Sequence, residues 1–357
     1  MQDNTLSEKL SVKLELSSKQ YKAQDGQDLR FTLTNNSNET LSLLKWQLPL
    51  EGSLDSDTFW VKRQEEVAVY LGKVIKRRAP IPEDFLTLDP NESISTDFDL
   101  AEAYDISKAG NYTVEFDSRV LHVGKEEPTT LASSLSNTQE FKSQKLRSNI
   151  VEFQLLEDRT PKQSNGIASQ WSALLTATAE LPSFRACTTN QRNQLKEALE
   201  EAENIAKQAQ STLLNTVESN IPNARRYKEW FGNYLAQRYN KVKENFDKIV
   251  NAIANERIIF NCSMEDCREG VFAYVYPTRP YEIFLCSAFW NASVTGTDSR
   301  SGTIVHELSH FNIVAGTDDN VYGQPNCRDL ARNSPEEAIA NADSHEYFAE
   351  NTPPLNM

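Results

Sequence analysis

Apolar residues recur at every second position from Leu10 to about Phe153, and at every third or fourth position after Cys187. Side chains alternate across a strand but return to one face of a helix every 3.6 residues, so the two periods require strands first and helices later. One chain carrying both grammars in separate halves is expected to form at least two domains. In the first half the segments SVKLELSS, DLRFTLTNN, TFWVKR, EVAVYLG, SISTDFDL, NYTVEF and SNIVEFQLL alternate. Turn clusters (AQDGQD, NNSNE, LDPNE, SKAGN) separate them. About seven short strands at that spacing predict an all-β sandwich of immunoglobulin-like character over residues 1–156. The chain has no Cys…Trp…Cys pattern there, so the expectation concerns architecture alone.

Residues 157–182, with EDRTPKQSNG and a run of small polar residues, read as a linker. Beyond it, TNQRNQLKEALEEAENIAKQAQSTLLNTVESN predicts a long helix, and NARRYKEWFGNYLAQRYNKVKENFDKIVNAIANE a second. RIIFNC, GVFAYVYP and EIFLCSAFW predict short strands, and the segment with HELSH a third helix. Ser334, Pro335 and Glu337 predict the start of a fourth, with Ser334 as N-cap and Glu337 completing a capping box. The second domain, 183–357, is thus expected to be mainly α with a small sheet (α+β).

The net charge of −14 argues against a nucleic-acid backbone and against an anionic membrane surface as partners. No apolar run reaches the ~18–20 residues of a membrane span. The N-terminus MQDNTLSEKL lacks the profile of a secretion signal, so the chain is expected to be cytosolic or already freed of its leader. The cysteines favour the second. All five (Cys187, Cys262, Cys267, Cys286, Cys327) lie in the second half and none forms a CxxC pair, which predicts two disulfides and one leftover thiol in an oxidising compartment. Sequons at Asn35, Asn38, Asn91, Asn111, Asn261 and Asn291 are compatible with secretion.

In HELSH, His306 and His310 stand four residues apart, which on a helix leaves them about 40° apart on one face. Both imidazoles can reach one ion, and Glu307 projects to the side where an activated water would sit. A hydrolytic zinc site wants three protein ligands and one open position. Ile313 and Gly316 stand where the metzincin continuation needs glycine and histidine, so that class is excluded. A later helix could supply Glu337 or Glu346. Nearer is GTDDNVYG, where Gly316 can break the helix and let Asp318 or Asp319 turn back to the metal.

HELSH followed by Gly316-Thr317-Asp318-Asp319-Asn320-Val321-Tyr322-Gly323 resembles the HExxH plus GTxDxxYG signature of the aspzincins, the deuterolysin-type metalloendopeptidases. The resemblance is greatest to their peptidyl-Lys members, through RYKEWFGNYLAQRY, GVFAYVYP, LCSAFW, GTDSRSGTIVHELSH and NADSHEYFAEN, and it runs from Cys187 to the end of the chain. LLKWQLPLEG and YLGKVIKRRAP in the first half are similar to the propeptides of the same family.

The resemblance implies a zincin-like catalytic domain binding one Zn²⁺ through His306, His310 and Asp319. It gives Glu307 the role of general base and Tyr322 that of oxyanion partner, and it implies disulfides Cys187–Cys262 and Cys267–Cys286. Cys327 falls outside the pattern. Asp343, Glu346 and Glu350 stand at i, i+3 and i+7, on one helical face near a C-terminus where acids oppose the dipole. The resemblance assigns Asp343 and Glu346 to the pocket for a lysine just after the cut bond. His122 and His345 lack a ligand partner at helical spacing and are read as structural, with support of a metal ligand from behind as the alternative for His345. The expected protein is a secreted endopeptidase hydrolysing Xaa–Lys bonds of proteins and peptides. It is expected to be made as a zymogen whose propeptide is an intramolecular inhibitor, activated by a cut between about Lys162 and Cys187. No cysteine precedes Cys187, so inhibition must be steric or use another side chain. Lys76, Lys142, Lys145 and Lys162 are the candidates for filling the pocket. The alternative is a peptidase of broad specificity whose β-domain is a permanent substrate- or surface-binding module. If Asp319 turned away from the metal, Glu346 or Asp343 would be the third ligand.

Overall fold

Alternation of buried and exposed side chains along the first strands matches the period-two pattern, as in Leu10–Leu16 and Asp28–Asn35. The computed structural model describes residues 6–26, 28–50, 54–123, 142–160 and 182–357. Of the expected linker 157–182, residues 161–181 lie outside the described residues, and Lys162 with them. The chain folds as two units: residues 1–72 with 80–177, and residues 73–79 with 178–357.

The first unit is all β apart from single turns of helix. Asp28–Asn35 pairs antiparallel with both Leu10–Leu16 and Ser93–Asp99 to make a three-stranded sheet. The larger sheet is organised by the long strand Gly110–Val123, which pairs antiparallel with Phe59–Arg63, Lys142–Arg147, Val151–Leu155 and Leu41–Leu44. Phe31 of the small sheet meets Phe116 of the large one edge-on, with ring centroids 5.1 Å apart. Both rings are fully buried, so the apolar faces of the two sheets form one core.

The second unit holds a five-stranded sheet in the order Ser183–Arg185, Ile259–Asn261, Glu282–Leu285, Val271–Val275, Val74–Arg77. Its last strand comes from the first half of the sequence. The alternation that located other strands is missing from Val74–Arg77, because all four of its residues are buried. Around the sheet run helices Thr189–Asn215, Arg225–Phe231, Ala236–Asn255, Ser287–Asn291, Arg300–His310, Gln324–Asn333, Pro335–Ala338 and Ala342–Glu350. The first is N-capped by Thr188 in a capping box with Gln191. The disulfides are Cys187–Cys262 and Cys267–Cys286, and Cys327 is a free, buried thiol.

Two expected helices are each broken. The second long helix stops at Phe231 and resumes at Ala236. Gly232 sits at φ 80°, where a Cβ would meet the Ala331 carbonyl oxygen at 2.3 Å, so the chain needs glycine to pass this point. The helix expected to run on from Ser334 ends at Ala338, and the Ser334 side chain makes no capping hydrogen bond. Asn341 pairs instead as an isolated parallel bridge with Asp318, and a new helix begins at Ala342. Asp343 therefore lies in a first helical turn, where a carboxylate is favoured by the dipole, and not near a C-terminus.

Candidate metal centre and lysine pocket

Every residue from Ser301 to His310 is buried, as expected of a helix enclosed by its own domain. Ser299 caps its start by accepting from the Gly302 amide at 2.9 Å. The same Ser299 donates from its hydroxyl and its amide to Glu350 Oε1, at 2.7 and 2.9 Å, which ties the helix to Ala342–Glu350. Gly302 allows the close approach: a Cβ there would lie 2.0 Å from Glu350 Oε1 and 2.9 Å from Glu346 Oε1.

The helix sets the His306 and His310 rings 4.8 Å apart. After it, Gly316 takes φ 59° and the chain turns back. The Thr317 amide donates to Ser309 O at 3.1 Å, and the Asp318 amide to Ala340 O at 2.8 Å. Asp319 is thereby aimed at the imidazoles, its Oδ1 3.1 Å from His306 Nε2 and 3.6 Å from His310 Nε2. Ligand atoms of His306, His310 and Asp319 all lie within 4.8 Å of one another. Asp318 does not join them. Neither does Glu337, the other candidate on a later helix.

These residues fit a divalent ion. His310 Nδ1 lies 2.7 Å from the Thr317 carbonyl, which can only accept, so its Nε2 carries the lone pair. His306 Nδ1 lies 3.0 Å from Asp343 Oδ1 and 3.1 Å from Glu346 Oε2, which leaves its Nε2 for the metal side. Both Nε2 atoms and both Asp319 oxygens are buried with no hydrogen-bond partner among the described residues. Buried polar atoms in that condition call for a further group. Burial pulls His306 down, but Asp319 and the neighbouring acids outweigh it and hold the ring well above the usual imidazole range. The place is therefore one that demands positive charge. Burial pushes His310 down to about 4 and keeps it neutral, as a ligand must be.

Glu307 is fully buried and neither of its oxygens has a hydrogen-bond partner among the described residues. Burial pushes its carboxyl up to about 8. A cation in the adjoining place would draw it back toward the ionised form that a base requires. Tyr322 is buried, and its hydroxyl donates to the Ile75 carbonyl at 3.0 Å.

On the other side of His306 the acids converge on a lysine. Lys76, on strand Val74–Arg77, is fully buried, with Nζ 2.5 Å from Glu346 Oε2, 3.4 Å from Asp343 Oδ1 and 3.5 Å from Asp298 Oδ1. Burial would strip its proton, yet Asp343, Glu346 and Asp298 together hold the ammonium well above the ordinary lysine value. Asp343 Oδ2 also accepts from the Gly323 amide at 2.8 Å and lies 3.2 Å from the Tyr347 hydroxyl. Burial alone would raise Asp343, but Lys76 and His306 bring it well below the usual carboxylate range. Asp298, Tyr347 and Gly302 were not singled out by sequence reasoning. Asp298 lies just before the N-cap, and only the tertiary fold brings it to the pocket.

Lys145 pairs with Asp117 within the first unit. His345 packs against Phe231 and Phe246 and uses both ring nitrogens on Asn245 and Asn341. Like His122, which lies in the first unit, it stands outside the ligand cluster. Burial raises the Cys327 thiol well above its usual value, which leaves it unreactive.

The family model described as lysine-specific metallo-endopeptidase, of the aspzincins, matches residues 216–350. An extracellular protease of Aeromonas hydrophila is 40% identical over 335 residues, covering 92% of this chain and 89% of that protein. A peptidyl-Lys metalloendopeptidase of Pleurotus ostreatus is 44% identical over 172 residues, 48% of this chain and 98% of its own length. Among solved structures, a zinc peptidase from Grifola frondosa is 38% identical and aligns with 48% of this chain and 100% of its own, at a TM-score of 0.44. With a cluster that fits a divalent ion, a buried acid beside it and the A. hydrophila relative 40% identical over 92% of this chain, the chain belongs to the aspzincin family and is a zinc metalloendopeptidase.

Proposed function

We propose that this protein is a secreted endopeptidase that cuts Xaa–Lys bonds, made as a zymogen and silenced by its own residues 73–79. The buried Lys76 ammonium among Glu346, Asp343 and Asp298 is the observation that carries the reading. Two fully buried carboxylates would be costly without a cation to compensate them. Lysine, a compact charge with three donors, suits three converging acids. A substrate lysine taking the place of Lys76 would set the bond on its amino side next to His306, whose Nδ1 touches the same acids. While Lys76 fills the pocket no substrate lysine can enter. Cleavage between about Lys162 and Cys187 is the proposed activating step.

In this reading one zinc per chain is held by His306, His310 and Asp319. Bound there, it supplies a Lewis acid that polarises the scissile carbonyl and eases deprotonation of water near neutral pH. Glu307 takes the proton of the attacking water and passes it to the departing lysine nitrogen. Tyr322 donates to the carbonyl oxygen as negative charge develops, a contact of a kind whose loss costs about 10²–10³ in rate. Two disulfides fit an oxidising compartment. With the extracellular A. hydrophila relative, they support secretion.

The test is a digest of a denatured protein by the zinc-loaded chain cut between Lys162 and Cys187, read by mass spectrometry. Cleavage is expected before lysine, and the Asp343→Ala/Glu346→Ala double variant is expected to lose that preference. Undiminished Xaa–Lys cleavage by the double variant would refute the pocket assignment. Equal activity in the uncut chain would refute the zymogen.

A further inference from the structure

We infer that the Ile75–Lys76 peptide bond is itself a cleavage site of this enzyme, bound in the register of a substrate and cut within its own chain. The inference rests on the proposed Xaa–Lys specificity and adds a second, independent contact to it. The side chain of Lys76 occupies the acid pocket, 2.5 Å from Glu346. The carbonyl one residue earlier, that of Ile75, accepts from the Tyr322 hydroxyl at 3.0 Å. These are the two atoms that flank the bond to be cut in any Xaa–Lys substrate: the carbonyl oxygen that must be stabilised and the lysine that must be recognised. A segment that merely plugged the pocket could reach it with its carbonyl turned elsewhere.

The backbone supports the register. Ile75 pairs with Tyr274 and Lys76 with Ala273 in an antiparallel ladder, so the bond is held extended. Burial of all four strand residues excludes bulk solvent. Glu307 keeps both oxygens unpartnered among the described residues, as a proton carrier between water and the leaving nitrogen requires. The reaction consumes one water. Its oxygen forms the new C–O bond to Ile75, the C–N bond to Lys76 breaks, and the proton accepted by Glu307 ends on the Lys76 α-nitrogen. The products are an Ile75 carboxylate and a Lys76 ammonium.

The cut does not release the first unit. Strands on both sides of it are paired within that unit: Asp28–Asn35 with Ser93–Asp99, Leu41–Leu44 with Phe85–Leu88, and Phe59–Arg63 with Gly110–Val123. A nicked chain therefore stays assembled and its two pieces separate only on denaturation. Val74 and Ile75 become a free strand end that can fray from Val275 and Tyr274 and leave Tyr322, while Lys76 stays among the acids, so the nick alone does not empty the pocket.

The experiment takes full-length protein purified with chelator, adds zinc, and compares native size with intact mass after denaturation. One native species is expected, resolving under denaturant into pieces 1–75 and 76–357, with neither piece from Glu307→Gln. Cleavage of an added Xaa–Lys peptide by the Lys76→Ala chain or by chain cut in the linker, with Ile75–Lys76 intact in the zinc-loaded wild type, would overturn this inference alone. Failure of both to cleave the peptide would instead overturn the proposed function. A metal-free readout tests the register separately. In metal-free full-length protein, Tyr322→Phe is expected to speed amide hydrogen exchange across Val74–Arg77 about five- to tenfold, the loss of one hydrogen bond. Unchanged exchange in that strand would mean that the carbonyl does not rest on Tyr322, and would overturn the inference as well.

Discussion

Glu307 is a carboxyl group fully buried near His306 and Asp319, with neither oxygen partnered among the described residues. A residue placed so is costly unless its proton affinity is used. Glu307→Gln is expected to cut peptide hydrolysis by at least about 10²–10⁴ while zinc content stays unchanged. Loss of zinc with the activity would make Glu307 a ligand. His345 illustrates the opposite use of burial. Its pKa is pushed down to about 4 by desolvation, so the unfolded chain binds a proton that the folded chain refuses between about pH 6.5 and 4. Its contribution to stability is thus present above that window and lost as pH falls through it, by roughly 3 kcal/mol. Urea titrations of metal-free protein should show a shallower acid loss in His345→Gln than in wild type; equal slopes would contradict the assignment. At this scale the histidine pair was legible from its spacing alone. Asp319 and Asp318 were not separable without the family resemblance, because the backbone pairing of Asp318 with Asn341 decides which side chain turns inward.

Among the elements, the long helix Thr189–Asn215 was legible from its helix formers and apolar period, whereas the one cap read from sequence, at Ser334, makes no capping hydrogen bond. Helices were misjudged at Gly232 and Asn341, where close packing and the isolated backbone bridge between Asp318 and Asn341 override local preference. The strand Val74–Arg77 could not be recognised by alternation because the second unit buries both of its faces. Helix Ala342–Glu350, which carries Asp343 and Glu346, is held at its far end by Arg226. That side chain is buried, donates to the Phe348 and Ala349 carbonyls, and lies 4.5 Å over the Phe348 ring. A cation there satisfies orphan carbonyls and suits the helix dipole. Arg226→Ala should destabilise the protein by about 2–4 kcal/mol, because the carbonyls stay buried without their donor. A midpoint shift in denaturant of less than about 0.5 kcal/mol would show that the end is held by other contacts.

For the whole molecule, the two grammars of the sequence correspond to a β-rich first unit and a mainly helical second one. Their boundary in the chain is more complex than a single linker. Residues 73–79 leave the first unit, complete the sheet of the second and return. This detour places Lys76 among Glu346, Asp343 and Asp298, the contact on which the proposed restraint rests. The site itself rests on two imidazoles and one carboxylate gathered by a helix and the turn that follows it. The most direct check is an anomalous difference map, at the zinc absorption edge, of crystals of zinc-loaded Glu307→Gln protein. A single peak is expected within bonding reach of His306 Nε2, His310 Nε2 and the Asp319 carboxylate. A peak elsewhere, or one liganded by Asp343 or Glu346 in place of Asp319, would contradict the account.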